Sequence, residues 1–432
     1  DIYSIIPVPE KIQILYLFST KKNTQFISDT EDRLKNWSNS LSSEYDFNTK
    51  QEVLHLPINK PLQWPFPSTN AELLDFIKRE LDKEILDRIY DYVAQPKKLF
   101  RIVFSHYIND ERIWYGYKMC IWNNKITYGF RSLEKVRPKI KLARTGNNKL
   151  NRLNIIRLDK NRLFGRIGKK LKDDITSQNI CLVGCGSIGS PIAVSLIKSG
   201  FSKITLIDNE KLSAGNIMRH ECGMSNVGEY KVDALKTHLE SNFPFIECDN
   251  NKNDVLQILK NDSNYFNSYD LFIVATGSYS VERRINKIQF RNESTPPIAY
   301  IWIEPYGVGG HMLYINSDNQ GCYNCCFNEE AEFKYAIADQ NKEYNIQEAG
   351  CQSSFQPYTH LDIQLFISNM CRFIINQIES ESPNNIRYTW IGDKDNFKSL
   401  GYKVNESYAG IGQFSTYKSI ISPNTNCDIC GN

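Results

Sequence analysis

The sequence Gln178-Asn-Ile-Cys-Leu-Val-Gly184-Cys-Gly186-Ser-Ile-Gly189 decides the fold of this chain. Its apolar run, residues 180–183, leads directly into the glycines, as a buried parallel strand leads into a tight turn. Residues 191–199 are compatible with a helix, since a proline lies at their start and a glycine follows their end. A second apolar run, residues 204–207, ends at Asp208. The order of strand, glycine turn, helix, strand and acid predicts a βαβ unit that binds a nucleotide.

The spacing of the glycines has a specific chemistry. Gly184 allows a tight turn, Gly186 lets the backbone approach a phosphate, and Gly189 lets the helix pack closely on the strand. The helix N-terminus offers unpaired N–H groups to an anion, so Ser187 is a further candidate for nucleotide binding. Asp208 lies about twenty residues beyond the last glycine, where an acid can bond a ribose hydroxyl. A glycine turn without a ligand is the alternative interpretation.

The residues after Asp208 indicate which nucleotide is bound. Asn216, Arg219 and Lys231 follow it, and here the chain resembles the ThiF/MoeB and ubiquitin-activating superfamily, whose enzymes adenylate the C-terminus of a ubiquitin-like protein. The resemblance implies that these four residues belong to an ATP-binding motif. An arginine and a lysine beside a glycine loop neutralise a triphosphate and stabilise the charge on departing pyrophosphate. A dehydrogenase would not need this cationic pair, so ATP is favoured over NAD.

Two domains are expected in a chain of 432 residues. The resemblance covers roughly residues 155–432 and implies an α/β fold, with a Rossmann-like, mixed-sheet adenylation domain over residues 151–432. Residues 1–150 are expected to form a smaller α+β domain. Within it we expect one helix over residues 70–92, which opens with a Thr-x-x-Glu capping box, and a basic linker over residues 137–149.

The composition argues against a nucleic-acid-binding, membrane-spanning or disulfide-rich protein. The chain is 41% hydrophobic with a net charge of +3, which is too small a charge to suggest nucleic acid or an anionic membrane surface as a partner. It contains no apolar run of about eighteen residues, so no membrane span is expected. Its twelve cysteines are too sparse for a disulfide framework, and a reduced, cytoplasmic protein is expected.

A pair of arginines precedes the glycine loop. Arg162 and Arg166 match, in order, the position of a family arginine that reaches across a dimer interface into the partner's ATP site. The resemblance therefore implies a homodimer, although it does not decide between the two arginines. An ordinary surface helix is the alternative.

Thr276 and Gly277 follow an apolar strand and complete the candidate ATP site. Most family members carry near Gly277 an aspartate that holds Mg²⁺, and this chain lacks it. Either another acid, such as Asp208 or Glu210, supplies the magnesium contact, or adenylation is impaired.

Two Cys-x-x-Cys pairs predict a zinc site. They are Cys322-Tyr-Asn-Cys325 and Cys427-Asp-Ile-Cys430. Each pair presents two thiolates, and two pairs complete a tetrahedral S₄ site, which in the resembled family is structural. A set of unrelated buried thiols is the alternative.

Cys351 is the candidate nucleophile. It follows a polar segment, residues 328–347, whose composition suits a crossover loop, and its polar surroundings would leave the thiol open to attack an acyl-adenylate. In the resembled family a cysteine at this place accepts the activated C-terminus as a thioester. The alternative is that Cys351 packs under the following helix.

The extra N-terminal module narrows the resemblance to two arrangements. One is the autophagy-type activating enzyme, and the other is the bacterial activating–conjugating fusion of CBASS antiphage operons. The partner would be a protein with a flexible C-terminal tail, either a ubiquitin-like protein or a CBASS nucleotidyltransferase, and a conjugating domain or enzyme would take the product. The first residue is Asp1 rather than Met, which suggests a processed or excised chain.

Two other functions remain open. The chain could be a catalytically weak scaffold that binds a partner's tail, which the glycine at position 277 motivates. It could also adenylate a substrate for sulfur transfer or peptide modification.

Overall fold

The computed structural model describes residues 2–6, 9–19, 25–33, 50–62, 65–108, 111–158, 160–165, 173–243, 246–262, 264–292, 295–340, 344–347, 354–380 and 384–431. The chain divides into two compact units, Asp1–Lys169 and Lys170–Asn432. Each unit has its own eight-stranded sheet and its own hydrophobic cores.

The first unit is an α+β module. Its strands are β1 Ile2–Ser4, β2 Gln13–Ser19, β3 Gln25–Ser28, β4 Gln51–Pro57, β5 Leu99–Ile108, β6 Glu111–Cys120, β7 Asn151–Leu153 and β8 Ile155–Arg157. They form one mixed sheet in the order β7-β6-β5-β4-β2-β3-β1-β8. Strands β7 and β8 thus belong to this sheet, although the domain boundary expected from the sequence places residues from 151 onward in the second domain.

The described helices of this unit are α1 Asn70–Glu80, α2 Lys83–Ala94, α3 Pro138–Arg144 and α4 Lys160–Gly165. The single helix expected over residues 70–92 is therefore wrong. The chain leaves the helical region at Leu81, with φ −120° and ψ 163°, and helix begins again after Asp82. The apolar stripe nevertheless continues across the break, because buried residues of α1 and α2 share one core with the sheet.

The basic linker expected over residues 137–149 is also wrong. Helix α3 occupies it, and Leu142 is buried in the core of the unit. Lys141 is fully buried, and its ammonium group donates to three carbonyl groups at the C-terminal end of α2, at 3.0, 3.0 and 3.1 Å. A cation placed there satisfies acceptors that a helix end leaves free.

The second unit contains the glycine loop. Its strands are β9 Asn179–Val183, β10 Lys203–Ile207, β11 Glu247–Asn251, β12 Leu271–Val274, β13 Ile298–Ile303, β14 Gly309–Ile315, β15 Ile346–Gln347, β16 Ser354–Phe355, β17 Ile386–Ile391 and β18 Ser415–Ile420. Its described helices are α5 Asp173–Ser177, α6 Gly189–Lys198, α7 Lys231–Asn242, α8 Val255–Asn261, α9 Tyr279–Gln289, α10 His360–Ser380 and α11 Lys394–Ser399.

The main sheet of this unit has the strand order β11-β10-β9-β12-β13-β14-β17-β18. Neighbouring strands from β11 to β13 are parallel, and those from β13 to β18 are antiparallel. The chain runs from β9 to one edge and then returns to place β12 on the other side of β9. This reversal is a topological switch point, where the carboxyl ends of the strands open a crevice for a ligand. The predicted α/β, Rossmann-like fold with a mixed sheet is confirmed.

Helices cover both faces of the parallel part. Residues of α6, α7 and α10 pack with Ile180 and Leu182 on one face, and residues of α8 and α9 pack with Cys181 and Val183 on the other. This alternation explains why β9 reads as a continuous apolar run. None of the described helices combines the length and the apolar character needed to cross a membrane.

Candidate active site

A cleft of about 710 Å³ lies at the carboxyl ends of β9, β10 and β12, at the switch point of the sheet. Among the residues that line it are eight of the candidates from the sequence: Gly184, Gly186, Ser187, Asp208, Glu210, Lys231, Thr276 and Gly277. Gly189, Asn216 and Arg219 are not part of its lining. One cavity therefore brings together most of the predicted ATP-binding residues.

The three glycines of the loop have different structural demands. Gly184 has a φ of +86°, and a Cβ there would lie 2.6 Å from the carbonyl oxygen of Ala275. A Cβ on Gly189 would overlap the carbonyl oxygen of Gly184. A Cβ on Gly186, by contrast, would meet no protein atom within 4 Å. The packing of the protein thus explains two of the glycines, and only the cleft is left to explain Gly186.

The glycine loop presents unused hydrogen-bond donors. Within the described part of the chain, the backbone N–H groups of Gly186 and Ser187 have no hydrogen-bond acceptor, although the carbonyl of Gly186 accepts from the N–H of Ser190 at 3.0 Å. Free N–H groups ahead of a helix are suited to an anion. The side chain of Ser187 is hydrogen-bonded to the hydroxyl of Tyr358, at 2.8 Å, and Tyr358 also lines the cleft.

The carboxylate of Asp208 holds the turns around it. Its oxygens accept the N–H of Cys185 at 2.7 Å and the N–H of Glu210 at 2.8 Å. Burial raises the pKa of Asp208, while these two hydrogen bonds act in the opposite direction. Each oxygen keeps a further lone pair, so the group can fix the loop and still accept from a ribose hydroxyl.

Lys231 is the buried cation of the cleft. It is the first residue of α7, is 6% exposed, and forms an ion pair with Glu210, whose side chain is 69% exposed. An arriving phosphate would compete with a carboxylate that is already well solvated. The ammonium group is therefore available to a triphosphate at little cost.

Arg219 borders the cleft rather than lining it. Its guanidinium lies 4.8 Å from the centre of the Tyr358 ring and donates to the carbonyl of Gln356 at 3.3 Å. The neighbouring His220 bonds the carbonyl of Cys185 through Nε2, at 2.8 Å, and so ties this segment to the glycine loop. Asn216 accepts from the N–H and hydroxyl of Ser213 at 3.1 and 2.9 Å, which is a capping role. The nucleotide-binding roles of Arg219 and Asn216 stay predictions.

Glu282 is the residue that organises the loop after β12. It is 2% exposed, and its Oε1 accepts from the hydroxyl of Thr276 at 2.9 Å and from the N–H of Gly277 at 3.1 Å. Burial raises the pKa of Glu282 to about 7, although the hydrogen bonds that it accepts lower it. Glu282, Tyr358 and Trp302 line the cleft but were not assigned as site residues from the sequence. Among these three, Glu282 has a signal in the sequence, since with Arg283, Arg284 and Asn286 it predicts a helix whose polar face could reach the nucleotide.

The two Cys-x-x-Cys pairs come together. The Sγ–Sγ distances are 3.8 Å for Cys322–Cys325, 3.6 Å for Cys322–Cys427 and 3.3 Å for Cys325–Cys430, and all four sulfur atoms lie within 4.8 Å of one another. A tetrahedral Zn²⁺ with Zn–S distances of about 2.3 Å places its sulfurs about 3.8 Å apart, so this donor set fits. The hydrogen bond between Cys322 and Cys325 lowers the pKa of Cys325 and raises that of Cys322, as expected of two thiols that share a proton.

Three further candidates are not tested by the cleft. Cys351 and Arg166 lie outside the described residues. Short strands β15 and β16 pair in antiparallel fashion on either side of residues 348–353. Arg162 lies in α4, is exposed, and belongs to the first unit.

The sequence matches the ThiF family over residues 158–400. A relative from Pseudomonas aeruginosa, described as ATP-dependent ubiquitin transferase-like protein Cap2, is 25% identical over 355 residues, which cover 77% of this chain and 60% of the relative. A relative with the same description from Vibrio cholerae is 23% identical over 383 residues, which cover 83% of this chain and 64% of the relative. The chain thus spans about three fifths of the length of these relatives.

Among solved structures, Escherichia coli MccB has a TM-score of 0.42 to this chain. Its sequence is 18% identical, and the match covers 60% of this chain and 67% of MccB.

Proposed function

This chain belongs to the ThiF family, and we propose that it activates the C-terminal carboxylate of a partner protein by ATP-dependent adenylation. The observation that carries the proposal is the cleft at the switch point, where free N–H groups of the glycine loop and the ammonium of Lys231 border one cavity. That combination suits a triphosphate, because backbone donors cradle phosphate oxygens and a buried cation offsets their charge. We assign the activation to the second unit.

The proposed first step is a displacement at phosphorus. A carboxylate oxygen of the partner attacks the α-phosphorus of ATP, a new P–O bond forms, and the bond to the bridging oxygen breaks as pyrophosphate leaves. The products are an acyl-adenylate and pyrophosphate, and no proton is transferred. Lys231 and Arg219 would offset the negative charge that collects on the departing pyrophosphate.

The proposed second step forms a thioester on Cys351. The thiolate attacks the carbonyl carbon, the acyl–oxygen bond breaks and AMP leaves, while the thiol proton goes to solvent. Gln356, which lines the cleft, follows Cys351 by five positions in the sequence. An extended chain of that length spans at most about 18 Å, and this limit on the distance supports Cys351 as the acceptor.

Two metal ions fit the proposal. Mg²⁺ would be held by Asp208 or Glu210, both of which line the cleft, because Gly277 offers no oxygen ligand from a side chain. Zn²⁺ would be held by the four cysteines described above and would hold both knuckles in place. Magnesium would offset phosphate charge, and zinc would stabilise the fold around the cleft.

The proposed partners are supported by the relatives named Cap2 and by the residues of the candidate ATP site. The substrate is a protein with a flexible C-terminal tail, either a ubiquitin-like protein or a nucleotidyltransferase of a CBASS-like antiphage system. A conjugating domain or enzyme takes the acyl group from Cys351. In a homodimer, Arg162 or Arg166 would complete the ATP site of the other copy.

Two measurements test the proposal. The protein, Mg²⁺, ATP and a candidate partner should exchange labelled pyrophosphate into ATP and form an adduct that thiol reagents cleave. Cys351→Ala should keep the exchange and lose the adduct, whereas Cys120→Ala, a half-exposed thiol of the first unit, should keep both. Exchange without any adduct in the unmodified protein would favour sulfur transfer or peptide modification, and binding of the partner without exchange would favour a scaffold.

A further inference from the structure

A line of buried hydrogen bonds joins the cleft to the cysteine cluster. Glu282 binds Thr276 and Gly277 in the cleft through Oε1, and its Oε2 accepts from the hydroxyl of Tyr323 at 2.8 Å. Tyr323 lies between Cys322 and Cys325, the two cysteines of the first pair. One carboxylate therefore receives donors from the cleft on one oxygen and from the cysteine knuckle on the other.

The position of Tyr323 is set by its surroundings. The residue is 1% exposed, and its ring centre lies 4.6 Å from that of Tyr300 and 4.7 Å from that of Phe327. A ring packed in this way cannot swing away without moving the backbone that carries it. The hydroxyl that reaches Glu282 therefore follows the conformation of the Cys322–Cys325 turn.

A second set of contacts holds α9 against both knuckles. Arg283, next to Glu282 in the helix, donates to the side chain of Asn324 at 3.1 Å and forms an ion pair with Asp428. Asn324 lies inside the first Cys-x-x-Cys pair and Asp428 inside the second. The helix that begins at the cleft is thus bonded to residues of both pairs.

We propose that the ion held by the four cysteines sets the conformation of Thr276 and Gly277 through Tyr323 and Glu282, so that metal occupancy and nucleotide affinity are coupled. The identity of the nucleotide rests on the proposed function. Without the ion the four sulfurs, 3.3 to 3.8 Å apart, are held only by weaker contacts such as hydrogen bonds between thiols, and the first turn can relax more easily. Glu282 then loses a donor in a buried site, which is costly for a carboxylate, and its hold on the cleft loop changes.

The coupling is reciprocal. If the metal raises the affinity for the nucleotide, the nucleotide must raise the affinity for the metal by the same factor. In an equilibrium competition with a chromophoric chelator, the protein should therefore bind zinc more tightly in the presence of α,β-methylene ATP.

Removing one hydroxyl group tests the coupling without changing the four metal-binding thiols. Tyr323→Phe keeps the ring and all four thiols and removes only the donor to Glu282. Tyr300→Phe is the control for loss of a buried tyrosine hydroxyl, because Tyr300 is not one of the donors to Glu282. Tyr323 itself lines the cleft and Tyr300 does not, so hydrogen exchange, which needs no nucleotide, decides between the variants. Both variants, in the full chain, would be measured for bound zinc, for amide hydrogen exchange over residues 271–282, and for affinity for α,β-methylene ATP.

The expected results differ between the two variants. Tyr323→Phe should hold one zinc ion per chain, exchange the amides of residues 276–278 about tenfold faster than the unmodified protein, and bind the nucleotide about tenfold more weakly. Tyr300→Phe should behave as the unmodified protein in all three measurements. Removal of zinc from the unmodified protein should change the same amides in the same direction.

A zinc-loaded Tyr323→Phe protein with unchanged exchange over residues 276–278 would overturn the coupling. Hydrogen exchange needs no nucleotide, so the inference is separable from the proposed function. If the unmodified protein binds no ATP analogue while Tyr323→Phe still accelerates exchange, then the proposed function fails and the coupling stands.

Discussion

Replacing Gly186 by alanine separates the nucleotide-binding role of the glycine loop from its structural role. An added Cβ meets no protein atom within 4 Å, and Gly186 is not among the residues with positive φ. We therefore expect Gly186→Ala to fold and to raise the free energy of unfolding by no more than about 1 kcal/mol, since alanine restricts the unfolded chain more than glycine does.

The same methyl group would stand where a phosphate must approach the N–H groups of Gly186 and Ser187. A phosphate oxygen that accepts from a backbone N–H makes a charge-assisted hydrogen bond worth about 1.5–3 kcal/mol. Loss of one or two such bonds should weaken binding of an ATP analogue by about 2–4 kcal/mol, which is roughly 30- to 1,000-fold in Kd.

The assay pairs two measurements on three proteins. Urea unfolding followed by circular dichroism gives the free energy of unfolding, and isothermal titration with α,β-methylene ATP gives the affinity. Gly189→Ala is the structural control, because its Cβ would overlap the carbonyl oxygen of Gly184 and should cost about 3 kcal/mol of stability. A folded Gly186→Ala protein that binds the analogue as tightly as the unmodified protein would refute the assignment of phosphates to this loop.

Three other outcomes are expected. Lys231→Met should weaken binding of the ATP analogue about tenfold or more with little change in stability. Lys252 is an exposed lysine outside the lining of the cleft, so Lys252→Met should leave the affinity unchanged. Titration calorimetry measures both affinities. Cys430→Ser should reduce bound zinc below one ion per chain and destabilise the second unit by about 3 kcal/mol or more, as metal analysis and urea unfolding would show. Burial lowers the pKa of His55 from 6.5 to about 4, so the unfolded chain takes up the proton first and stability falls as the pH drops from about 6.5 to about 4. That loss, up to about 3 kcal/mol, should disappear in His55→Gln when unfolding is measured across this range.

The βαβ unit could be predicted from the sequence because its determinants are local. Gly184 needs a positive φ and Gly189 needs a close approach to Gly184, and both demands act within a few residues of the strand that they follow. The position of Asp208 is local in the same sense, since it ends the next strand along the chain. Patterns of this kind survive in a single sequence because neighbouring residues impose them.

Other features depend on contacts between distant parts of the chain. Tyr358 is hydrogen-bonded to Ser187 although 171 positions separate the two in the sequence. No local sequence pattern predicts that Tyr358 lines the cleft. Lys141 looks like part of a basic linker, yet its charge is used to cap a helix 46 to 48 residues earlier in the chain. The helical period continues through Leu81 although the backbone there is extended, so periodicity alone misses the break.

The buried acid at position 282 explains why position 277 is a glycine rather than an aspartate. Gly277 has a φ of +63°, in the left-handed region that favours glycine, and its N–H is used by Glu282. A carboxylate at position 277 would add a second negative charge beside this buried one, which is unfavourable. Glu282 is a poor replacement for the missing magnesium ligand, because a metal there would compete with the hydrogen bonds from Thr276, Gly277 and Tyr323 that hold the cleft loop. The acid that holds Mg²⁺ should therefore come from the residues that follow β10, where Glu210 lines the cleft and forms an ion pair that an arriving phosphate can replace.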